Sequence, residues 1–395
     1  MSSTSPESPA SPESPASPET GVVATPHLRI HYPTAFAPEA TPVIAGVECV
    51  LAMRGVTGPF RPNIVFTAVP SEAPLIDAAH AAVRATGVDH PGARILSVDM
   101  VFGEDDSRGP EPFGRVVTFS YPASAALDVI VKKWIVATGT HHLHFSASYL
   151  PSQALAVEET FDWIAANVEF TAPTARIHLA ARGESLTGVQ RDDAAASRAG
   201  FPLEDLSVIE RPPLESARAH PAAAARLLAD AWGIELSQPR ALHAIVTRGQ
   251  ARGFYAAYPG SGGICVVRSA GASALDCDAT RVEAYGLSPE RLPADAAAWL
   301  DVAPAFRFDG GTALTKHEYA ARIAAPSGDA AWTEVQFGSA GLWTHAVHIA
   351  GEGYSEAVAP DEDTIELRPL PSGRFFDLII RSIAGALTEA PSGAA

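Results

Sequence analysis

A pattern of short apolar strands separated by tight glycine turns occurs twice in the second half of the chain, and it constrains the fold more than any other feature. The clearer copy lies between Trp332 and Leu387. It predicts strands at Trp332–Phe337, Leu342–Ile349, Tyr354–Ala359 and Thr364–Pro369, followed by a helix at Arg374–Leu387. Strands joined by such short turns form an antiparallel sheet, and a helix that follows them can cover one of its faces.

The earlier copy begins at Leu242 and is less regular. It predicts strands at Leu242–Thr247, Phe254–Tyr258 and Ile264–Arg268, turns at Arg248–Arg252 and Pro259–Gly262, and a weak helix around Asp278–Leu287. A helix is also expected before each copy, at Leu214–Trp232 and at Thr315–Ala324. The order of helix, three strands and helix therefore occurs twice. This predicts two half-domains that share one core through joined sheets or a pseudo-twofold axis.

Two helices of this region carry sequence signals at their ends. Thr315 is suited to cap the helix that it begins, and Glu318 stands where a capping box requires an acidic residue. A further helix is expected at Pro289–Leu300, with Trp299 and Leu300 buried. A short strand is expected at Phe306–Phe308.

The composition excludes several classes of function. The 395 residues are enough for two or three domains, each with its own core. Because the net charge is −17, the chain lacks the basic face that a general nucleic-acid binder needs, and anionic membrane surfaces are disfavoured for the same reason. No segment approaches the roughly 20 apolar residues of a membrane-spanning helix. We therefore expect neither nucleic-acid binding nor membrane insertion.

The cysteines and the N-terminal region predict a cytoplasmic protein. Cys49, Cys265 and Cys277 are an odd set without metal-binding spacing, and each lies in or near an apolar strand. Buried free thiols are typical of a reducing compartment. The N-terminal region has neither the basic start nor the apolar segment of a secretory signal. Instead, residues 1–22 are rich in Ser, Pro and Glu, which predicts a disordered tail.

Residues 23–172 are predicted to form the first folded domain. Strands are expected at His27–Tyr32, Val47–Met53, Arg61–Val69, Ile95–Phe102, Arg115–Tyr121, Leu127–Ala137 and Thr140–Leu150. One helix begins at Pro74 and ends at Gly87, and a second spans Val157–Val168. This is an α+β arrangement in which two helices cover an antiparallel sheet. A connecting region follows, with a strand at Arg176–Ala181 and a helix at Leu186–Ala199.

The first domain resembles the Mog/PsbP-like fold, and in particular its LpqN-type actinobacterial branch. The resemblance rests on Pro62-Asn-Ile-Val-Phe66, the helix and strand meander that follow, and a last helix that ends in Trp163-Ile-Ala-Ala-Asn-Val-Glu-Phe170. It implies a binding or scaffolding module without shared catalytic residues. We expect the chain to differ from the lipoprotein members, because the N-terminal sequence shows neither a signal-peptide pattern nor a lipid-accepting cysteine.

Residues 173–390, the second predicted domain, resemble the type VII secretion-associated EspG family in the order of their elements. The resemblance rests on the hairpin Leu242–Tyr258 with Ile264–Arg268, and on Ile365-Glu-Leu-Arg-Pro-Leu370 leading into Arg374–Leu387. It implies two similar halves around a central antiparallel sheet. It also implies a cytoplasmic protein that binds secreted partner pairs as a specific chaperone.

The segment Thr140–His144 contains a possible metal site. In a strand, His142 and His144 share one face while His141 points to the other. Two imidazoles can begin a metal site, but a third ligand must come from elsewhere, so a solvated or hydrogen-bonded sheet face is the favoured interpretation. His345 and His348 lie on opposite faces of their strand and do not chelate together. No nucleophile elbow, phosphate-binding loop or calcium loop occurs, so no catalytic residue and no cofactor is predicted.

Four aromatic residues in the repeated strands are candidates for partner contact. Adjacent strand positions face opposite sides, so one of Phe254 and Tyr255 points away from its own core unless helices cover both faces. Burial is the more common fate of large aromatic side chains, but Trp and Tyr are also favoured anchors of protein interfaces. The candidates are Phe254, Tyr255, Trp343 and Tyr354.

The two resemblances and the lack of a catalytic set predict a non-catalytic protein-binding adaptor or chaperone linked to type VII secretion. One alternative is a metal-dependent or other hydrolase that uses the strand carrying His141, His142 and His144. The other is a small-ligand-binding protein with a hydrophobic pocket between sheet and helices.

Overall fold

The computed structural model describes residues 20–40, 44–102, 112–171, 207–210, 241–249, 251–260, 263–304, 311–325, 331–339, 342–350 and 352–389. Within these ranges the chain forms twenty β-strands and five α-helices, and every strand pair is antiparallel. The architecture is therefore α+β, with antiparallel sheets. None of the helices in the described ranges combines the length and apolar character needed to cross a membrane.

Several predicted segments lie outside the described residues. They are nearly all of the N-terminal tail, the strands at Arg176–Ala181 and Phe306–Phe308, and the helices at Leu186–Ala199 and Leu214–Trp232.

The first unit, residues 20–171, contains ten of the strands and two of the helices. Its strands are β1 (Thr20–Ala24), β2 (Leu28–Pro33), β3 (Phe36–Pro38), β4 (Val47–Met53), β5 (Asn63–Pro70), β6 (Arg94–Phe102), β7 (Pro112–Pro122), β8 (Asp128–Ala137), β9 (His141–Tyr149) and β10 (Val168–Phe170). Its helices are α1 (Leu75–Asp89) and α2 (Ala154–Ala166).

The two helices of the first unit cover opposite faces of one sheet. Seven strands form that sheet in the order β3-β4-β5-β9-β8-β7-β6, and β1, β2 and β10 form a smaller sheet. On one face, Val83 of α1 packs among Val117 and Ile135. On the other, the ring of Phe161 in α2 lies 5.8 Å from that of Tyr149. Successive side chains of a strand point to opposite faces of the sheet, so apolar residues at adjacent positions supply a core on each face.

The second unit, residues 207–389, contains the other ten strands and three helices. Its strands are β11 (Ser207–Glu210), β12 (Leu242–Arg248), β13 (Ala251–Gly260), β14 (Gly263–Gly271), β15 (Cys277–Leu287), β16 (Thr312–Thr315), β17 (Trp332–Ser339), β18 (Leu342–Ile349), β19 (Gly353–Val358) and β20 (Thr364–Pro369). Its helices are α3 (Leu292–Trp299), α4 (Lys316–Ala324) and α5 (Ser372–Glu389).

The sheet of the second unit reads alike from either edge. Its order is β11-β15-β14-β13-β12-β17-β18-β19-β20-β16. The first half is a meander of β12 to β15, and β15 also pairs with β11. The second half is a meander of β17 to β20, and β20 also pairs with β16. The halves join where Ile245 pairs with Gln336. Three residues after Ile245, at Arg248, the chain turns into the β12–β13 hairpin. Three residues after Gln336, at Ser339, it turns into the β17–β18 hairpin. The strand order and the hairpin positions are therefore symmetric about the Ile245–Gln336 pair.

The repeated unit is larger than the sequence pattern predicts, because β15 occupies the segment around Asp278–Leu287. The prediction of a weak helix there is wrong. β15 has ladder partners on both sides, in β14 and β11. Ala284 and Tyr285 are buried on its two faces. Local helix propensity is a weak preference, and two-sided pairing and burial override it.

The predicted capping box begins α4. The backbone N–H of Glu318 donates to the hydroxyl of Thr315 at 3.2 Å, and the carboxylate of Glu318 accepts from the backbone N–H of Thr315 at 2.9 Å. Tyr319 and Ile323 of this helix pack on an apolar cluster that includes Val347. The cap therefore fixes the start of a helix that covers part of the second half of the sheet.

One continuous apolar core joins the two units. It includes Leu96 of β6, Phe161 of α2 and Phe375 of α5. Helix α5 contacts β6 and α2 of the first unit and β12, β17 and β19 of the second. The guanidinium of Arg94, a residue of β6, donates to the carbonyl oxygen of Val302 at 3.1 Å. The first unit therefore packs on the helical face of the second sheet.

Candidate functional site

The two faces of the ten-stranded sheet are covered differently. One face packs against α3 and α5. On that face the four central strands bury most of their side chains, which include Leu242, Ala244, Val246, Tyr255, Ala257, Val335, Phe337 and Ala346. This face supplies the core of the second unit and leaves no room for a partner.

The opposite face is accessible at its centre, around the Ile245–Gln336 pair. Eight side chains there are exposed or half-buried, and we call this surface the open face. It consists of His243, Ile245, Thr247, Arg252, Glu334, Gln336, Trp343 and His345. Strand alternation produces the contrast, because each of these residues lies between neighbours whose side chains point to the other face.

The strand register arranges the open face in three rows. The rows are His243, Gly338 and Trp343; then Ile245, Gln336 and His345; then Arg252, Thr247 and Glu334. Side chains in one row are direct neighbours across the sheet. The aromatic and the charged side chains therefore lie at opposite corners of the surface.

Trp343 forms the aromatic corner and is 53% exposed. Gly338 lies between Trp343 and His243 and has no side chain, so the two rings can meet across it. Their centroids are 5.8 Å apart and their planes are nearly perpendicular, at 75°. The indole of Trp343 and the imidazole of His243 therefore lie together at this corner of the open face.

Glu334 organises the charged corner. Nε2 of His345 lies 2.7 Å from Oε1 of Glu334, and the hydroxyl of Tyr319 in α4 donates to the same oxygen at 3.1 Å. The hydrogen bond from His345 lowers the pKa of Glu334 despite its partial burial, and Arg252 acts in the same direction. Burial and the nearby Glu334 raise the pKa of Tyr319. The carboxylate of Glu334 is therefore held by the hydroxyl of Tyr319 and the ring of His345.

Three of the four aromatic candidates are core residues, which corrects their prediction as contact residues. Tyr255 is 0% exposed and donates to Asp295 at 2.7 Å. Tyr354 donates to the carbonyl of Leu300 and stacks on Phe375 with centroids 4.3 Å apart. Phe254 is buried on the other face, in a cluster with Tyr258 and Val267. Both faces are covered at these positions, so alternation does not expose either residue of the Phe254–Tyr255 pair.

The three histidine side chains of β9 have different contacts and do not form a common site. His142 is buried, and its Nε2 lies 2.8 Å from the carbonyl oxygen of Ala73. Burial, with the positive charge of Lys133, lowers the pKa of His144 to about 3. The ring of His141 lies 4.4 Å from that of His27. In the part of the chain that the structure describes, no group of three His, Cys, Asp or Glu residues is placed to hold a metal ion.

The cysteines are free thiols. Cys49 and Cys265 are buried, and Cys277 is half-buried. Burial raises the pKa values of Cys49 and Cys265 to about 11. Both thiols are therefore protonated at neutral pH, which makes them poor nucleophiles.

The charged corner of the open face was not predicted from the sequence. Arg252, Tyr319, Glu334 and His345 come from four different elements, and only the fold brings them together. One signal was available, because Glu334 and Gln336 alternate with buried apolar residues in β17. Polar side chains at every second position of a central strand indicate a face that no apolar layer covers.

No family model matches the sequence, and no curated protein matches it significantly. Among solved structures, the chain is similar to the solution structure of cyanobacterial PsbP (CyanoP) from Synechocystis sp. PCC 6803. The identity is 11% and the TM-score is 0.27, and the match covers 36% of this chain and 86% of that chain. This is a weak likeness to a PsbP-type structure.

Proposed function

We propose that the chain is a non-catalytic adaptor or chaperone that binds a protein partner through the open face. The observation that carries this proposal is Trp343, which is 53% exposed near the centre of a sheet whose other face is buried. Trp is enriched among the residues that contribute most to protein–protein affinity, and these residues cluster near the centres of interfaces.

The position of Trp343 favours binding. Strand β18 pairs with β17 and β19, so the backbone that carries the ring is held on both sides. A partner that covers the ring gains roughly 25 cal/mol for each Å² of apolar surface removed from water. Little backbone freedom is lost on binding because the strand is already ordered.

The polar residues of the open face support specificity. Glu334 is held by Tyr319 and His345, and Gln336 and Arg252 are exposed beside it. Interfaces commonly combine an aromatic anchor with a polar rim whose hydrogen bonds fix the register of the partner. The open face has both parts within four neighbouring strands.

The proposed partner class follows from the two resemblances. The LpqN-type likeness of residues 23–172 supports a binding module, and the EspG-like order of residues 173–390 supports a chaperone for secreted partner pairs. We therefore place the protein in the cytoplasm, in association with type VII secretion. The strand order that reads alike from both edges is compatible with two similar halves.

Site-specific photocrosslinking tests the proposal. A photoreactive amino acid introduced at Trp343 should form a covalent adduct with a defined protein in the native cell. The same amino acid at Val88, which is 79% exposed on α1, should not capture that protein. With the partner purified, Trp343→Ala should raise Kd by more than about tenfold, because truncating a central Trp commonly costs ~2 kcal/mol or more. Equal affinities of the wild type and Trp343→Ala would contradict the proposal.

The two alternative functions stay predictions with their own tests. Stoichiometric zinc in the purified protein, lost on changing His142 and His144 to alanine, would favour the hydrolase that uses His141, His142 and His144. A thermal-shift screen of small molecules tests the ligand-binding alternative.

A further inference from the structure

The seven-stranded sheet of the first unit also has a face that its helix covers only in part. Helix α1 lies mainly over β6, β7 and β8, where Val117 and Ile135 are buried beneath it. Across the sheet from Ile135, the next side chains on this face are His144 of β9 and Thr67 of β5, and both are half-buried. A strip of polar side chains beside α1 is therefore partly accessible to a ligand.

The strand register places four polar side chains next to one another in this strip. Lys133 of β8 pairs with Ser146 of β9, and in the next row His144 of β9 pairs with Thr67 of β5. Directly opposed residues of antiparallel strands share a face, with Cβ atoms about 4.5–5.5 Å apart, and residues two apart on one strand share it as well. All four side chains are half-buried. We call these four residues the Lys133 cluster.

The protein itself does not engage the polar groups of the Lys133 cluster. Among the described residues, its four side chains make no hydrogen bond and no ion pair. The adjacent Lys132 on the opposite face of β8 provides the contrast, because its Nζ lies 2.5 Å from Oδ1 of Asp162. The ammonium, the two hydroxyls and the imidazole of the cluster are therefore available to a ligand.

A buried arginine adds positive charge beside the cluster. Arg115 of β7 pairs with Ile135, which in turn pairs with His144. Arg115 is 5% exposed, its Nη1 donates to the carbonyl oxygen of Gly114 at 3.3 Å, and its Nε has no hydrogen-bond partner within the part of the chain that the structure describes. A guanidinium stays charged in proteins. In a protein whose net charge is −17, this face therefore brings together two cations without a carboxylate bound to either in the described ranges.

The acid–base properties of the region agree with this geometry. Burial lowers the pKa of Lys133, and the exposed Asp89 offsets this only in part. Burial, with the positive charge of Lys133, lowers the pKa of His144 to about 3, so its ring is neutral at neutral pH and carries one N–H donor. Burial also lowers the pKa of Arg115. A bound anion would offset the cost of placing these cations in a partly desolvated site.

We propose that the Lys133 cluster binds the phosphate group of a small molecule. The ammonium of Lys133 supplies a compact positive charge and three donors, as lysines of phosphate sites do. The hydroxyls of Thr67 and Ser146 and the N–H of His144 complete the site. These donors come from three strands, so they can reach oxygens on different sides of a tetrahedral anion, whereas a planar carboxylate engages fewer of them. The site lies on the sheet of the first unit and is independent of partner binding at the open face.

Lysine-selective NMR of the full chain tests the proposal, because the sequence has only three lysines, Lys132, Lys133 and Lys316. Their Cε signals are assigned with Lys132→Arg, Lys133→Arg and Lys316→Arg, and inorganic phosphate is added at constant neutral pH and ionic strength. We expect the Lys133 signal to shift along a saturable curve while the other two shift little. Acetate should bind at least severalfold more weakly. A Lys133 signal without a saturable shift, equal shifts of all three signals, or equal affinity for acetate would overturn the proposal.

Two variants and a matched control locate the bound phosphate. Thr67→Val and Ser146→Ala each remove one hydroxyl donor and keep the charge, so each should raise the Kd for phosphate, read from the Lys133 signal, by at least about threefold. Lys132→Gln removes the neighbouring lysine on the opposite face and should leave that Kd within about twofold of the wild type. An unchanged Kd in both hydroxyl variants, or an equal loss of affinity in Lys132→Gln, would show that phosphate binds elsewhere and would overturn the assignment of the site.

Discussion

Consecutive residues of β17 lie in two very different environments. Val335 and Phe337 are 0% exposed under the helical layer, while Gln336 between them is exposed to solvent on the open face. The same holds in β12, where Ala244 and Val246 are buried and Ile245 is half-buried. The two faces belong to the same strands and the same backbone hydrogen bonds. They differ only in the layer that covers them.

This contrast separates stability from recognition within one sheet. The covered face supplies the apolar burial that stabilises the second unit and attaches it to the first. The open face contributes little burial, so its side chains are free to differ in chemistry without unfolding the protein. The two faces should therefore respond differently to substitution, and three substitutions in the sheet and in the helices beside it test this in order of decreasing effect.

The largest effect is expected on the covered face, at Phe375. Its ring is 0% exposed and meets Phe337 edge-on at 4.8 Å and Tyr354 in a stack at 4.3 Å. Phe375→Ala should reduce the free energy of unfolding by about 3–5 kcal/mol, because it removes the ring and leaves a cavity. Chemical denaturation measures this loss, and Phe375→Leu should lose clearly less. A loss below about 1 kcal/mol would show that the helical face is not the principal core.

A smaller effect is expected where α4 begins. Thr315→Ala removes the hydroxyl that caps the helix and should cost about 1 kcal/mol, whereas Thr315→Ser should stay close to the wild type. The hydrogen bonds from Thr315 lower the pKa of Glu318. Their contribution is therefore present above the ordinary pKa of a glutamate and disappears as the pH falls through the lowered value. The difference between wild type and Thr315→Ala in denaturation midpoint should shrink in acid, and a difference that grows there would argue against the cap.

The smallest effect on stability is expected at Trp343. Trp343→Ala should change the free energy of unfolding by no more than about 0.5 kcal/mol, because the residue is 53% exposed and lies outside the apolar core clusters. The same denaturation experiment as for Phe375→Ala provides the comparison on the opposite face. A loss of ~2 kcal/mol would place Trp343 among the residues that stabilise the fold and would remove the main support for partner binding there.

Local pattern was sufficient to locate many of the elements. Val47–Met53 and Leu342–Ile349 are strands with the bounds that alternation and flanking glycines predict. The capping box of Thr315 and Glu318 is likewise present. These features depend on side chains a few residues apart, so the sequence expresses them directly.

The local sequence pattern gave the wrong prediction where contacts with distant parts of the chain determine the secondary structure. The segment Asp278–Leu287 lacks a regular alternation of apolar and polar residues, and in the structure it is β15, paired with β14 on one side and β11 on the other. Most of the candidate site was missed for the same reason. The pair of Glu334 and His345 requires the β17–β18 hairpin, and Tyr319 joins them only after α4 has packed on the sheet.

The amino-acid sequence by itself determined where most of the described strands extend and turn, and which residues of each strand share a face. The tertiary structure decided which of the two faces is covered, and so whether an aromatic side chain such as Tyr354 or Trp343 belongs to the core or to the surface. Alternation is a property of the extended backbone and is local. Coverage depends on helices and strands that reach the same sheet from far along the chain, and no short window of sequence contains that information.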